Sequence, residues 1–189
     1  MAQLCILQAL VFTLFVVAAL SDKNGNQDSD FTEFLKKDKT IWVFNTTEPG
    51  EVTCRRDTIL NIEDSSVSFT RQFKNNTEIS VENLEGKLFN WEHWESKQRK
   101  PYDSMTISKS EGNGIEEFLE FVDTTGNCAV VKVMNIVDFN TDPSRIWREL
   151  RLTNPREGID PTSECWKTFD NAVNITGKNW RESYNKDCQ

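Results

Sequence analysis

One histidine in 189 residues, His93, leaves no basis for a His-rich metal site or a Ser-His-Asp triad. Basic residues are also in short supply: 22 Lys and Arg stand against 30 Asp and Glu, a formal net charge of −8. No basic stripe exists to release counterions, which excludes broad binding to nucleic-acid phosphates. No CxxC spacing occurs, which argues against zinc and thiol redox chemistry. Beyond residue 21 no apolar run approaches the ~20 residues of a membrane span. The acids Glu116, Glu117 and Glu120 read as a solvated face rather than a catalytic dyad, and no Ser or Cys nucleophile has a nearby base. The chain is therefore not read as an enzyme, and no cofactor or metal is expected. What is present, 37% hydrophobic and 11% aromatic residues, suits a folded soluble protein.

Residues 1–21, MAQLCILQALVFTLFVVAALS, carry no charged side chain and an apolar core from Ala9 to Leu20. Small residues lie near its end, so the segment reads as a secretory signal peptide cleaved between Ala18 and Ser21, ahead of one domain at 22–189. Export places the remaining cysteines, Cys54, Cys128, Cys165 and Cys188, in an oxidising compartment, where four thiols imply two disulfides with three possible pairings. It also gives meaning to three N-x-S/T sequons at Asn45, Asn75 and Asn174, which mark expected glycosylated surface positions.

Along the mature chain Phe31, Phe34 and Leu35 repeat at helical spacing behind Asp30 as cap. From Thr40 to Thr153 the period is two. Alternating sets include Val52-Cys54-Thr58-Leu60-Ile62, Val67-Phe69-Arg71-Phe73, Glu116-Phe118-Glu120-Val122, Ala129-Val131-Val133 and Ile146-Arg148-Leu150-Leu152. Turn residues separate the runs, as at Glu48-Pro49-Gly50 and Gly112-Asn113-Gly114. Within Glu82–Tyr102, Asn90–Glu95 reads as a strand with Trp91 and His93 on one side. Asp160-Pro161 then signals a helix start, Cys165, Phe169, Ala172 and Val173 share one face, and Gly177 ends it. Asn174 lies about 180° from Cys165. A short helix, about eight strands, one long helix and a Cys-bearing tail describe a mainly β chain: an eight-stranded antiparallel lipocalin-like barrel.

This pattern resembles the salivary lipocalins of ticks, the histamine-binding protein family. The resemblance rests on FTEFLKK, the Trp-bearing first strand, VTC at Cys54, NC at Cys128, SEC-W at Cys165 and the terminal Cys188. It implies pairing Cys54 with Cys188 and Cys128 with Cys165. It also implies a secreted, monomeric scavenger of host mediators: histamine, serotonin, eicosanoids or, in a branch that modulates dendritic cells, a sterol. Some members engage complement or host immune cells. Amine binders of the family are similar to one another in C-D-[VIL], a gap, E-L-[WY]. Here those positions are Cys128-Ala129-Val130 and Glu149-Leu150-Arg151. Glu149 keeps its acid, Ala129 replaces the Asp, and Arg151 replaces the aromatic. A further acid is Glu120 only after a one-residue loop shift; otherwise the position is Leu119.

A protonated amine taken out of water needs carboxylates around it. Ala129, Val131 and Val133 instead line one strand with hydrocarbon, so the expected cargo is a lipophilic or amphiphilic mediator such as an eicosanoid, fatty acid or sterol. The candidate walls are Trp42, Phe44, Phe69, Phe118, Val131 and Trp147. Arg56 and Arg71 are the candidates to hold a ligand carboxylate, and Glu120 and Glu149 are the acids to consider. Two alternatives stand beside this: an amine scavenger, and an immunomodulator working through its outer surface on a host immune-cell or complement protein.

Overall fold

The computed structural model describes residues 29–95 and 99–188. The signal segment 1–21 and the polar stretch 22–28 lie outside the described residues. A one-turn helix α1 (Phe31–Phe34) precedes eight long strands: β1 (Thr40–Thr46), β2 (Val52–Glu63), β3 (Ser66–Asn75), β4 (Glu78–Phe89), β5 (Ser104–Ser110), β6 (Asn113–Val122), β7 (Cys128–Ile136) and β8 (Ile146–Leu152). Helix α2 (Glu164–Thr176) and a two-residue strand β9 (Arg181–Glu182) complete the chain. The strands pair antiparallel in the order β2-β3-β4-β5-β6-β7-β8-β1, and β1 pairs back onto β2, which closes the barrel.

Asp30 caps α1 by accepting a hydrogen bond from Thr32 N, and α1 drives Phe31, Phe34 and Leu35 into one end of the barrel. There they join Ile41, Ile59, Phe69, Leu119, Ala129 and Val131 in one buried apolar cluster. A second cluster lies outside the sheet: Cys128, Val130, Leu150 and Leu152 pack under Cys165, Phe169 and Val173 of α2. Alternate residues of β7 and β8 thus face two cores, which is why both strands are buried almost throughout.

The register assigns the faces of β2 and β8, and two expectations, the start of α2 and a strand at Asn90–Glu95, are corrected. The β2 set Cys54, Thr58, Leu60 does not face the interior; Cys54 sits at φ +53° in an irregularity between Thr53 and Arg56, and the buried residues beyond it are Asp57 and Ile59, with Leu60 exposed. In β8 the lumen side is Trp147, Glu149 and Arg151, while Leu150 and Leu152 serve the α2 core. Helix α2 starts at Glu164, because Ser163 caps it through Trp166 N and Asp160 instead closes the preceding turn through Thr162. Trp91–His93 is a single 3-10 turn rather than a strand, capped by Asn90, with Trp91 edge-on to Phe118 at 5.0 Å.

The two disulfides join Cys54 to Cys188 and Cys128 to Cys165. The first holds the tail against β2, and the second fastens α2 to β7.

Candidate ligand-binding site

The lumen divides into an apolar floor and a belt of charge. Arg71 forks onto Asp57, with Nε and Nη2 each 2.8 Å from a carboxylate oxygen, and gives a further bond of 2.9 Å to Glu117. Glu117 also accepts from Arg151 at 2.6 Å, and Arg151 Nε reaches Glu149 at 2.8 Å. Glu149 further accepts from Trp147 Nε1 at 2.9 Å and Arg55 Nη1 at 2.7 Å, and Arg55 continues to Glu48 at 2.8 Å. Strands β2, β3, β6 and β8 thus contribute a continuous chain in which three arginines meet Asp57, Glu117 and Glu149 before it ends at Glu48.

Burial disfavours the charges of Glu117, Glu149 and the three arginines, and their partners outweigh it. Burial would raise the carboxyl of Glu149, yet Arg151 and Arg55 hold it at about 2. Glu117 likewise stays below the ordinary carboxylate range because Arg151 and Arg71 overcome burial. Arg71 and Arg151 are pushed above the usual guanidinium value by their acids despite desolvation. Glu117 and Glu149 are therefore ionised, and the carboxylate oxygens of the belt are already occupied.

Its unused hydrogen-bonding capacity lies on other atoms. Among the described residues, the buried side-chain atoms without a hydrogen-bond partner are Arg55 Nε, Arg181 Nη2 and Asn45 Oδ1. Arg55 and Arg181 flank Glu48 at 2.8 and 3.8 Å. Two of the three orphans are guanidinium donors.

Half of the residues singled out from sequence meet in the lumen. Phe69, Arg71, Val131, Trp147 and Glu149 are buried inside the barrel or its belt. The other five lie on the outer face. Trp42 packs edge-on to Tyr184 at 5.2 Å, and Arg56 lies over Trp42 at 5.1 Å. Phe44 joins the α2 core, Phe118 lies under Lys132 at 4.3 Å, and Glu120 forms a two-bonded pair with Arg148 at 2.8 and 2.9 Å. The inward neighbours are Val43, Leu119 and Glu117, all buried. The lumen short of acids is also corrected: the apolar strip Ala129, Val131, Val133 is present and buried, but Asp57 and Glu117 stand beside it. Sequence reasoning missed Arg55, Asp57, Glu117 and Arg151 as lumen groups. The available signal was parity: Asp57 sits two residues from Ile59, and Glu117 two from Leu119, on the same side of a strand. Of the sequons, Asn75 and Asn174 are exposed, whereas Asn45 is only 2% exposed between β8 and β9.

A model of the tick histamine-binding protein family matches residues 19–189. The chain belongs to that family. A comparison with curated protein sequences finds no match. Among solved structures this family member is similar to AM182 in its serotonin complex, at TM-score 0.60 and 14% identity over 87% of this chain and 95% of that one. It is also similar to the siderocalin Ex-FABP (TM-score 0.54, 8% identity, 75% and 87% covered) and to a bovine odorant-binding protein triple mutant (0.54, 10%, 83% and 98%). At these identities the likeness establishes the lipocalin barrel. As a member of the family, the protein binds ligands and is not an enzyme.

Proposed function

We propose that the protein is a secreted scavenger that holds a small amphiphilic mediator, in the eicosanoid, fatty-acid or sterol class, in its barrel. The observation that carries this is the state of Glu149. It is the acid retained from the amine-binding pattern, and its oxygens are taken by Arg55, Arg151 and Trp147. The two departures from that pattern are cross-strand neighbours: Ala129 on β7 lies opposite Arg151 on β8. An Asp is lost where a guanidinium is gained, and that guanidinium neutralises the remaining acid. An ammonium entering here meets arginines and must unpair a buried ion pair to find a carboxylate, which is costly. A carboxylate, hydroxyl or carbonyl head finds a buried donor without a hydrogen-bond partner at Arg55 Nε. The apolar body would lie along Phe69, Val131 and Trp147. The two disulfides support an oxidising, extracellular setting.

An amine ligand is the second reading, supported by the family and by the serotonin bound to AM182. Tryptophan-fluorescence titration of the purified mature protein with arachidonate, cholesterol, histamine and serotonin separates the two. Micromolar or tighter lipid binding with none of either amine is expected. Tight amine binding without lipid binding overturns the proposal.

A further inference from the structure

Trp42, Arg56 and Tyr184 are turned away from the lumen, yet the fold gathers them. With Thr153, Asn154, Pro155 and Arg156 they line an outer cleft of about 320 Å³. That is within the size range of small-ligand pockets, ~300–1,000 Å³. Four separate segments build it: β1 supplies Trp42, β2 supplies Arg56, the chain after β8 supplies Thr153 to Arg156, and the tail supplies Tyr184. Backbone bonds from Ser183 N and Tyr184 N to Phe44 O, together with the Cys54–Cys188 disulfide, hold the tail in place.

The chemistry of the lining is one-sided. Every polar side chain in it can donate a hydrogen bond, and none is a carboxylate. Arg56 lies over the Trp42 ring, 5.1 Å from its centroid, and gives a 2.9 Å bond from Nη2 to Gln72 Oε1, and among the described residues no acid pairs with it. Asn154 occupies the N-cap position of the turn Pro155–Glu157 without making the capping bond. In a chain of net charge −8, a donor-lined, acid-free cleft with two arginines is a local exception. The indole and phenol add flat apolar walls inclined at 76°.

We infer that this cleft is a second binding site, outside the barrel, for an anionic group carried on an aromatic ring: an aryl carboxylate or an aryl sulfate ester. The anion would sit on the guanidinium edge of Arg56, and the ring against Trp42 and Tyr184. The same chemistry is found in free aromatic acids and in sulfated tyrosine on a protein surface.

The test is titration of the mature protein, labelled with ¹⁵N at tryptophan, with indole-3-acetate, phenyl sulfate and the neutral indole-3-acetamide. The Trp42 indole signal is assigned with a Trp42→Phe variant. A saturable shift of the Trp42 signal by both anions is expected, with the amide bound about tenfold or more weakly. The Trp147 signal, which reports the lumen, should stay still, and Arg56→Gln should abolish the shift while leaving the rest of the spectrum folded. Equal binding of acid and amide, a response at Trp147 instead of Trp42, or no saturation at millimolar concentration overturns the site. A sulfotyrosine peptide that binds more tightly than phenyl sulfate would identify the source as a protein surface. Equal or weaker binding would identify free aromatic anions.

Discussion

Glu149 bears on both stability and ligand choice. Its side chain is 1% exposed and is bound by two guanidiniums and one indole. Removing its charge leaves Arg55 and Arg151 buried with an acid missing. Glu149→Gln should therefore cost roughly 3–5 kcal/mol in urea unfolding. A loss below ~1 kcal/mol would mean that water replaces the pair and that the belt is not a structural unit. The same residue shows the limit of motif reading. Its acid and the nearby guanidinium were visible in Glu149-Leu150-Arg151, but its second partner was not, because Arg55 lies 94 residues away in sequence. Asn45 teaches the same lesson from the opposite side. The sequon is complete, yet β1 pairs with both β8 and β9 at that residue, so an oligosaccharide has no room. Mass spectrometry of the secreted protein should find glycans at Asn75 and Asn174 and none at Asn45.

At the scale of elements, the β5–β6 hairpin depends on a close approach. A Cβ on Gly114 would stand 2.7 Å from the Ile107 carbonyl oxygen, and backbone cannot yield as a side chain can. Gly114→Ala should separate these strands and cost about 1–3 kcal/mol, read as a lower melting temperature. At Gly86 the nearest obstacle is the flexible Met105 side chain, so Gly86→Ala should cost less. Helix α2 was legible because its signals are local: Ala172 and Val173 complete the Cys165 and Phe169 stripe, and Gly177 ends it in the left-handed conformation. Its first turn was read three residues early because Asp160-Pro161 also suits the tight turn that Thr162 closes. Strand existence was equally legible from alternation. Strand facing was not, because register irregularities at Thr53/Arg56 and Leu119/Phe121 break the parity a uniform strand would keep.

For the whole molecule the belt sets acid behaviour. Glu149 titrates at about 2 in the folded state against an ordinary 4.5, and Glu117 is lowered in the same direction. A depressed carboxyl stabilises the fold fully above its unfolded pKa and loses that contribution as pH falls through the folded value. The melting temperature should therefore drop between pH 4.5 and 2, and Glu149→Gln should flatten that drop. A melting temperature unchanged across that window would contradict a depressed Glu149 carboxyl.

Period-two alternation, turn residues and helix caps were enough to specify a mainly β barrel flanked by two helices, because each is a preference of neighbouring residues. Alternation also marked Phe69, Arg71 and Val131 as one-sided positions. What faced what was decided only by closure of the sheet: Arg55, Asp57, Glu117 and Arg151 meet because β2, β3, β6 and β8 curve around one axis. The same closure turned Trp42 and Arg56 outward, where the disulfide-held tail brings Tyr184 against them. Charges this far apart in sequence become partners only when the barrel excludes water from between them, and no local pattern encodes that exclusion.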